Sequence, residues 1–141
     1  ESDGAAHVQT HDDRNQVPAN EKLPPQYERV FLSSRFIIEN FSYLCEALER
    51  IPEGDGTVLD NCLVYATSEL ADGTRHTYTD MPVLLAGSAG GRVRSGVHFR
   101  APSSRNTSDI PLTCMHALGV AADGFGSGPS RSTSPVSELL V

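Results

Sequence analysis

Residues 61–67 have the sequence Asn-Cys-Leu-Val-Tyr-Ala-Thr, a short and nearly continuous apolar run. A run of this length is typical of a β-strand that is covered on both faces, as in a parallel sheet. Residues 82–87, Pro-Val-Leu-Leu-Ala-Gly, form a second run of the same kind. The sequence therefore predicts an α/β fold with a mainly parallel sheet. An edge strand is also predicted at residues 97–99.

A long amphipathic helix is predicted before the first strand, over residues 26–50. Its apolar residues recur mostly at steps of three and four, which places them on one stripe; they are Val30, Ile37, Ile38, Phe41, Leu44, Cys45 and Leu48. Pro52 ends this helix, and helix, tight turn and buried strand in this order form an αβ unit. A second, short helix is predicted to begin at Ser108 or Asp109 and to end before Gly119.

The composition limits the function. The chain has 141 residues and a formal charge of −7, which disfavours binding to nucleic acid or to an anionic membrane, because both need clustered positive charge. No apolar stretch approaches the roughly 18 residues of a membrane span. Three cysteines, Cys45, Cys62 and Cys114, form no CxxC motif and are expected to be small buried hydrophobic residues.

Too few strands are predicted for a complete sheet. Roughly half of the chain is predicted to be loop, a high share for a self-sufficient domain. Two buried parallel strands also need neighbours on both sides. We therefore expect the sheet to be incomplete without further strands, which come from a missing part of the chain or from another protein chain. Residues 1–25 are predicted to form an irregular arm, and the Ser-rich tail over residues 127–141 resembles a linker.

Two histidines near the start of the chain have a spacing that suits a metal. His7 and His11 stand at i,i+4, so both imidazoles lie on one face if the segment is helical. The zinc-protease motif has a glutamate after the first histidine, and Val8 occupies that position, so this mechanism is excluded. The alternative is that both histidines are solvated, and the spacing leaves the choice open.

A carboxylate and an imidazole also lie in the loop after the first strand. In α/β folds, ligands bind outside the carboxyl ends of parallel strands, and Glu69 and His76 are suitable ligands there for a divalent metal. The alternative is that Asp72-Gly73 is only a turn and Glu69 only a surface residue. No Gly-x-Ser-x-Gly elbow marks a nucleophile, so catalytic residues stay unknown. Residues 87–91 lack the Lys-Ser/Thr of a phosphate loop.

Several segments match one bacterial family in order. They are residues 53–76 (EGDGTVLDNCLVYATSELADGTRH), 81–92 (MPVLLAGSAGGR), 118–120 and 123–126, with Ser-Glu-Leu near the C-terminus. Over residues 26–126 the chain resembles the family catalogued as domain of unknown function fifteen fifty-two, which looks like a relative of the alkaline phosphatase and sulfatase superfamily. The resemblance implies the C-terminal part of an alkaline-phosphatase-like α/β sandwich, between the arm 1–25 and the tail 127–141.

The resemblance also implies a metal site. The superfamily's paired ligands would fall on His7 and His11 and its later ones on Glu69 and His76. The three histidines would share one divalent ion, zinc or calcium, and Glu69 would belong to a second. Leu70 stands where the superfamily has a histidine ligand. The nucleophile belongs to an N-terminal half that is not in this chain. The resemblance further implies export to the periplasm or the outside of a bacterium.

Two functions follow from these expectations. The first is a non-catalytic or remnant module of an exported alkaline phosphatase-like or sulfatase-like protein, completed by another protein chain or by the missing N-terminal half. The alternative is the C-terminal part of a metal-dependent hydrolase of phosphate or sulfate esters. The first is favoured by Leu70, by the absent nucleophile and by the loop-rich composition; the second is favoured by the four candidate ligands.

Overall fold

The computed structural model describes residues 25–73, 75–102 and 105–141. These residues form helices and two small antiparallel sheets, so the fold class is mixed α and β. The elements in chain order are α1 (Pro25–Glu49), β1 (Pro52–Glu53), β2 (Gly56–Thr57), α2 (Val58–Asn61), β3 (Val64–Thr67), β4 (Val83–Ala86) and α3 (Asp109–Ala117), with single 3-10 turns at Gly128–Ser130 and Ser137–Leu139.

The described chain divides into two compact units. One contains residues 25–44 and Thr67–Pro82, and the other contains Cys45–Ala66 and Val83–Val141. The predicted arm over residues 1–25 lies outside the described residues except for Pro25, which begins α1.

The long helix confirms the sequence prediction to within a residue at each end. Its 25 residues begin at Pro25, which fits the first turn because proline has no N–H to lose there. Exposed i,i+4 ion pairs join Arg35 to Glu39 at 2.6 Å and Arg50 to Glu46 at 3.1 Å, and each adds a few tenths of a kcal/mol, about 0.3–0.5. Among the described residues, no helix is both long and apolar enough to cross a membrane.

The chain reverses tightly after α1. Pro52 pairs with Thr57 in the β1–β2 hairpin, and Gly54 has a φ of 59°, the left-handed conformation that favours glycine in such a turn. Thr57 then caps α2: its side chain accepts from the Asp60 N–H, while the Asp60 carboxylate accepts from the Thr57 N–H at 2.8 Å. This capping box stabilises a helix of a single turn.

The parallel sheet expected from the two apolar runs is not found in the described part of the chain. β3 pairs with β4 in a two-stranded antiparallel sheet. Beyond β4, the Ala89 N–H donates to the carbonyl of Cys62, which precedes β3, at 3.2 Å. β4 therefore runs beside β3 in the opposite direction. An apolar run predicts that a strand is buried, but it carries no information on the direction of its neighbour.

Burial of the two strands is also lighter than predicted. Their side chains alternate between half-buried and exposed at most positions, and Tyr65 and Leu84 are 40% and 41% exposed. A strand covered on both faces needs a packed layer on each side. The predicted edge strand at residues 97–99 does not form a strand.

The small core lies around α3. Among the described residues, its buried apolar members are Ala89, Val93, Leu112, Ala117 and Val136. α3 ends as the sequence predicts, with Gly119 at a φ of 78° just beyond Leu118. Ser108 precedes α3, but its side chain makes no capping hydrogen bond.

The C-terminal tail is part of this core, although its composition resembles a linker. Val136 is only 2% exposed. Farther along, Leu140 forms an antiparallel bridge with Val93, and the Val141 N–H donates to the Arg92 carbonyl at 3.1 Å. The few apolar residues of the tail are enough to hold it against the rest of its unit.

Gly87 allows the close approach between the two strand ends. Its φ is 90°, and a Cβ there would overlap the carbonyl oxygens of Cys62 and Leu59. Gly91 has a φ of 81°, but a Cβ there would meet nothing within 4 Å. We expect Gly87→Ala to lower the free energy of unfolding by about 3 kcal/mol or more, since strain and overlap add. Gly91→Ala is expected to cost only about 1 kcal/mol.

Urea denaturation of both variants measures this difference, with far-UV circular dichroism as the folding control. Equal losses of unfolding free energy in the two variants would show that left-handed backbone strain, and not contact with the carbonyls, is the reason for glycine at position 87.

Candidate functional site

The loop that carries the predicted Glu69 and His76 is folded back on itself. At its base, the Thr67 hydroxyl donates to the Pro82 carbonyl at 2.8 Å. Near its tip, the Ala71 N–H donates to the Thr77 carbonyl at 2.9 Å, and Asp72 forms an antiparallel bridge with Thr77. Thr67–Pro82 is therefore a hairpin-like segment, and its two arms bring the candidate residues into one element.

The tip of this segment has turn chemistry that the sequence indicates. The Asp72 carboxylate accepts from the Arg75 N–H at 3.0 Å, which is how aspartate stabilises a local turn. His76 has a φ of 52°, a conformation that histidine adopts more readily than most residues. Asp72 and Gly73 thus lie in a turn, which is one of the two alternatives that the sequence left open; a metal site at Glu69 and His76 stays a prediction.

Glu69 and His76 are both exposed on this segment. Leu70, between them in sequence, is half-buried, and its N–H donates to the Ser68 hydroxyl at 3.4 Å. Glu69 therefore presents a carboxylate, and His76 an imidazole, to solvent on this segment. Each is chemically able to ligate a metal, whereas the side chain of Leu70 has no ligand atom.

Of the four predicted metal ligands, only Glu69 and His76 lie among the described residues. His7 and His11 lie outside the described residues. Within residues 25–73, 75–102 and 105–141, no group of three or more histidine, cysteine, aspartate or glutamate side chains is arranged to hold a metal. Zinc in proteins takes three or four protein ligands. Glu69 and His76 therefore need ligands from elsewhere to complete such a site.

A charged cluster that the sequence analysis missed lies beside α3. Arg105 contacts the buried carboxylate of Asp109 at 3.2 Å and the exposed carboxylate of Glu138 at 3.3 Å. Its guanidinium also donates to the carbonyl of Pro135 at 3.4 Å. The i,i+4 spacing of Arg105 and Asp109 was the available signal. The contact with Glu138 spans much of the C-terminal half of the chain and has no local signal.

The position of Glu138 favours its charged form. A backbone N–H bond is the main cause that lowers the pKa of this carboxyl below its usual value; burial opposes it, and the Ser137 hydroxyl and then Arg105 lower the pKa by smaller amounts. The cluster thus holds the tail by charge at neutral pH.

An open depression of about 710 Å³ lies at the C-terminal end of α3 and is lined by His116, Gly119, Val120, Ala121, Ala122 and Asp123. The ring Nε2 of His116 lies 2.8 Å from the Ala122 carbonyl oxygen, so one of its nitrogens is engaged with the backbone. The depression is wide open to solvent, unlike the enclosed and mostly preformed pockets that hold small ligands.

No protein-family model, no curated protein and no solved structure matches this chain.

The Arg105 cluster makes a prediction about stability. Arg105→Ala leaves the Asp109 carboxylate buried without its cation, so we expect the free energy of unfolding to fall by about 3 kcal/mol. Arg131 is a matched control, because its pair with Asp123, at 3.5 Å, is exposed on both sides, and Arg131→Ala should cost less than about 1 kcal/mol. Chemical denaturation at neutral pH measures both; similar losses would contradict a special role for Arg105.

Proposed function

We propose that this chain is a non-catalytic module of an exported protein with alkaline phosphatase-like or sulfatase-like ancestry, and that further polypeptide completes its fold. The observation that carries the proposal is the exposure of α1. Seven of its large apolar side chains are between 45% and 70% exposed: Phe31, Leu32, Phe36, Ile37, Ile38, Tyr43 and Leu44. A surface of this kind is rare on a protein that works alone and marks an interaction site.

The apolar residues of α1 lie on more than one side of the helix. Ile37 and Leu44 are one heptad apart, on the stripe that the sequence analysis identified. Leu32, Phe36 and Tyr43 follow one another at steps of four and seven on a different side. A helix that is apolar on several sides is built to be internal. This supports polypeptide on both sides of α1, as in a layered α/β sandwich.

The small sheets support the same proposal. A two-stranded sheet is marginal by itself and needs more strands or a packed layer. Tyr65 on β3 and Leu84 on β4 are both partly exposed apolar residues. A sheet whose covering layer is absent would expose such residues. We propose that the completing polypeptide is the N-terminal half of an alkaline-phosphatase-like sandwich and that it supplies the mainly parallel strands. Leu70, in place of a ligand, supports a non-catalytic role for this part.

Ile37 provides the test. The full open reading frame is sequenced, and its complete product and the present chain are expressed separately. In the complete product, Ile37→Glu is expected to lower the free energy of unfolding by about 3 kcal/mol, because a charge enters a buried interface. In the present chain, where Ile37 is 65% exposed, the same change should cost less than about 0.5 kcal/mol.

Ser42→Glu is the matched control on the same helix, since Ser42 is polar and exposed and lies on the charged side with Glu39 and Glu46. Hydrogen exchange of the α1 amides in the two forms gives a second measurement, and slower exchange is expected in the complete product. Equal costs of Ile37→Glu in both forms, with equal exchange, would overturn the proposal.

Metal-dependent hydrolysis of phosphate or sulfate esters is the second candidate function. It is favoured by the presence of Glu69 and His76 on one segment, and it would draw on His7 and His11 as well. Metal ions would supply charge stabilisation and an activated nucleophile. Residues of this chain would then be ligands in a site whose nucleophile comes from elsewhere.

Metal analysis of the complete product separates the two functions. The non-catalytic proposal expects less than one equivalent of zinc, calcium or manganese after dialysis, and no hydrolysis of an aryl phosphate or aryl sulfate. Stoichiometric metal that is lost in His76→Gln but kept in His98→Gln, where His98 is an exposed histidine on another segment, would favour the hydrolase. Elemental analysis by mass spectrometry measures the metal content.

A further inference from the structure

Aspartate followed by glycine is a sequence at which the main chain of a protein rearranges without an enzyme. The glycine nitrogen attacks the neighbouring side-chain carboxyl group, and glycine has no side chain to hinder the approach. The chain contains four such pairs, and three of them lie in the described residues: Asp55-Gly56, Asp72-Gly73 and Asp123-Gly124. The fourth, Asp3-Gly4, lies outside them. Because the three described pairs have the same local chemistry, their folded surroundings decide which of them reacts.

Two of these pairs are restrained by hydrogen bonds. Gly56 belongs to the β1–β2 ladder, which fixes the turn that contains Asp55. The Asp72 carboxylate accepts from the Arg75 N–H at 3.0 Å, and Asp72 also forms an antiparallel bridge with Thr77. In the first pair the glycine backbone is held, and in the second the carboxylate already has a backbone partner. The fold therefore opposes the attack at both positions.

The Asp123-Gly124 pair is restrained least. The Asp123 side chain is fully exposed, and its ion pair with Arg131 is long, at 3.5 Å. Among the described residues, neither the Asp123 carbonyl nor the Gly124 N–H takes part in a backbone–backbone hydrogen bond. Rotation of this peptide group toward the carboxyl group therefore breaks no such bond. Exposed backbone that lacks hydrogen bonds is also where a folded chain opens at the lowest cost.

We infer that Asp123-Gly124 is a site of spontaneous isoaspartate formation. The Gly124 nitrogen forms a bond to the side-chain carboxyl carbon of Asp123 and loses its proton, and one carboxyl oxygen leaves as water, which gives a cyclic succinimide. Water then opens the ring. Attack at the main-chain carbonyl breaks its bond to nitrogen and leaves the chain linked through the side chain, as isoaspartate; attack at the other carbonyl restores aspartate. Nothing is oxidised or reduced, and the water that leaves is replaced by the water that enters.

Isoaspartate at this position would disturb the contacts that follow it. It adds one carbon atom to the main chain before Gly124, where even a Cβ would lie 2.7 Å from the Ser132 carbonyl oxygen. The next residue, Phe125, exchanges hydrogen bonds of 2.9 and 2.8 Å with Ser132, and this bridge joins the loop after α3 to the tail. The modification should loosen this bridge. The inference goes beyond the proposed function, and its failure would leave that function as it stands.

Incubation in heavy-oxygen water measures the reaction, because each passage through the ring places one solvent oxygen in the aspartate or isoaspartate. The folded chain is kept in warm buffer, digested with trypsin and analysed by tandem mass spectrometry, in which fragment ions locate the label. Cleavage after arginine places Asp123 on the peptide 106–131, and Asp55 and Asp72 on the peptide 51–75. We expect the label to enter Asp123 several-fold faster than either of the other two, and isoaspartate to accumulate there.

The same chain in urea is the first control, since unfolding removes the restraints and the three pairs should then react at similar rates. Asp123→Glu is the second: it keeps the charge, but the larger ring forms far more slowly, so the label should be lost at this position.

No reaction at Asp123, or equally fast reaction at Asp55 or Asp72 in the folded chain, would overturn the inference. A preference for Asp123 that persists in urea would also overturn it, because local sequence and not the fold would then be the cause. Hydrogen exchange of the Phe125 and Ser132 amides should be faster in the modified chain than in the fresh one. Unchanged exchange would contradict the loosening of the bridge.

Discussion

A buried hydrogen bond between the C-terminal tail and α3 holds together the core of its unit. The Val136 N–H donates to the Thr113 hydroxyl at 2.7 Å, and that hydroxyl donates to the Asp109 carbonyl at 2.6 Å. This arrangement satisfies a backbone N–H that would otherwise be buried without a partner, at a cost of about 1–3 kcal/mol. Leu112 and Val136 are both buried in this unit. Arg105 then joins the same helix to the tail by charge.

The small size of this core explains why much apolar surface stays exposed. In the described residues, the buried apolar side chains are few and most of them are small. Such a core supplies little hydrophobic free energy, which grows with the apolar area removed from water. Many large apolar side chains are instead exposed, and seven of them lie on α1. The proposed completing polypeptide would bury these side chains.

The candidate site illustrates how one sequence pattern can have two causes. Asp72 and Gly73 form a turn, and this turn by itself places Glu69 and His76 on a single segment. Turn formation is a local property, whereas a metal site requires ligands from several elements. The sequence identified Glu69 and His76 as candidate ligands. Their spacing did not determine whether a metal ion or only a turn brings them together. The Arg105 cluster is the opposite case. No local sequence pattern predicts its contact with Glu138, because only folding brings Glu138 close to Arg105.

The sequence by itself determined the local elements. The spacing of apolar residues defines α1 to within a residue at each end, and Gly119 marks the end of α3, since helix periodicity and capping are encoded within a few neighbouring residues. Only the tertiary structure decided that β3 and β4 run antiparallel and that the tail is packed. An apolar run looks the same whether the neighbouring strand is parallel or antiparallel. The few apolar residues of the Ser-rich tail do not indicate which residues they pack against. These choices depend on contacts between residues far apart in the chain, and no local pattern records them.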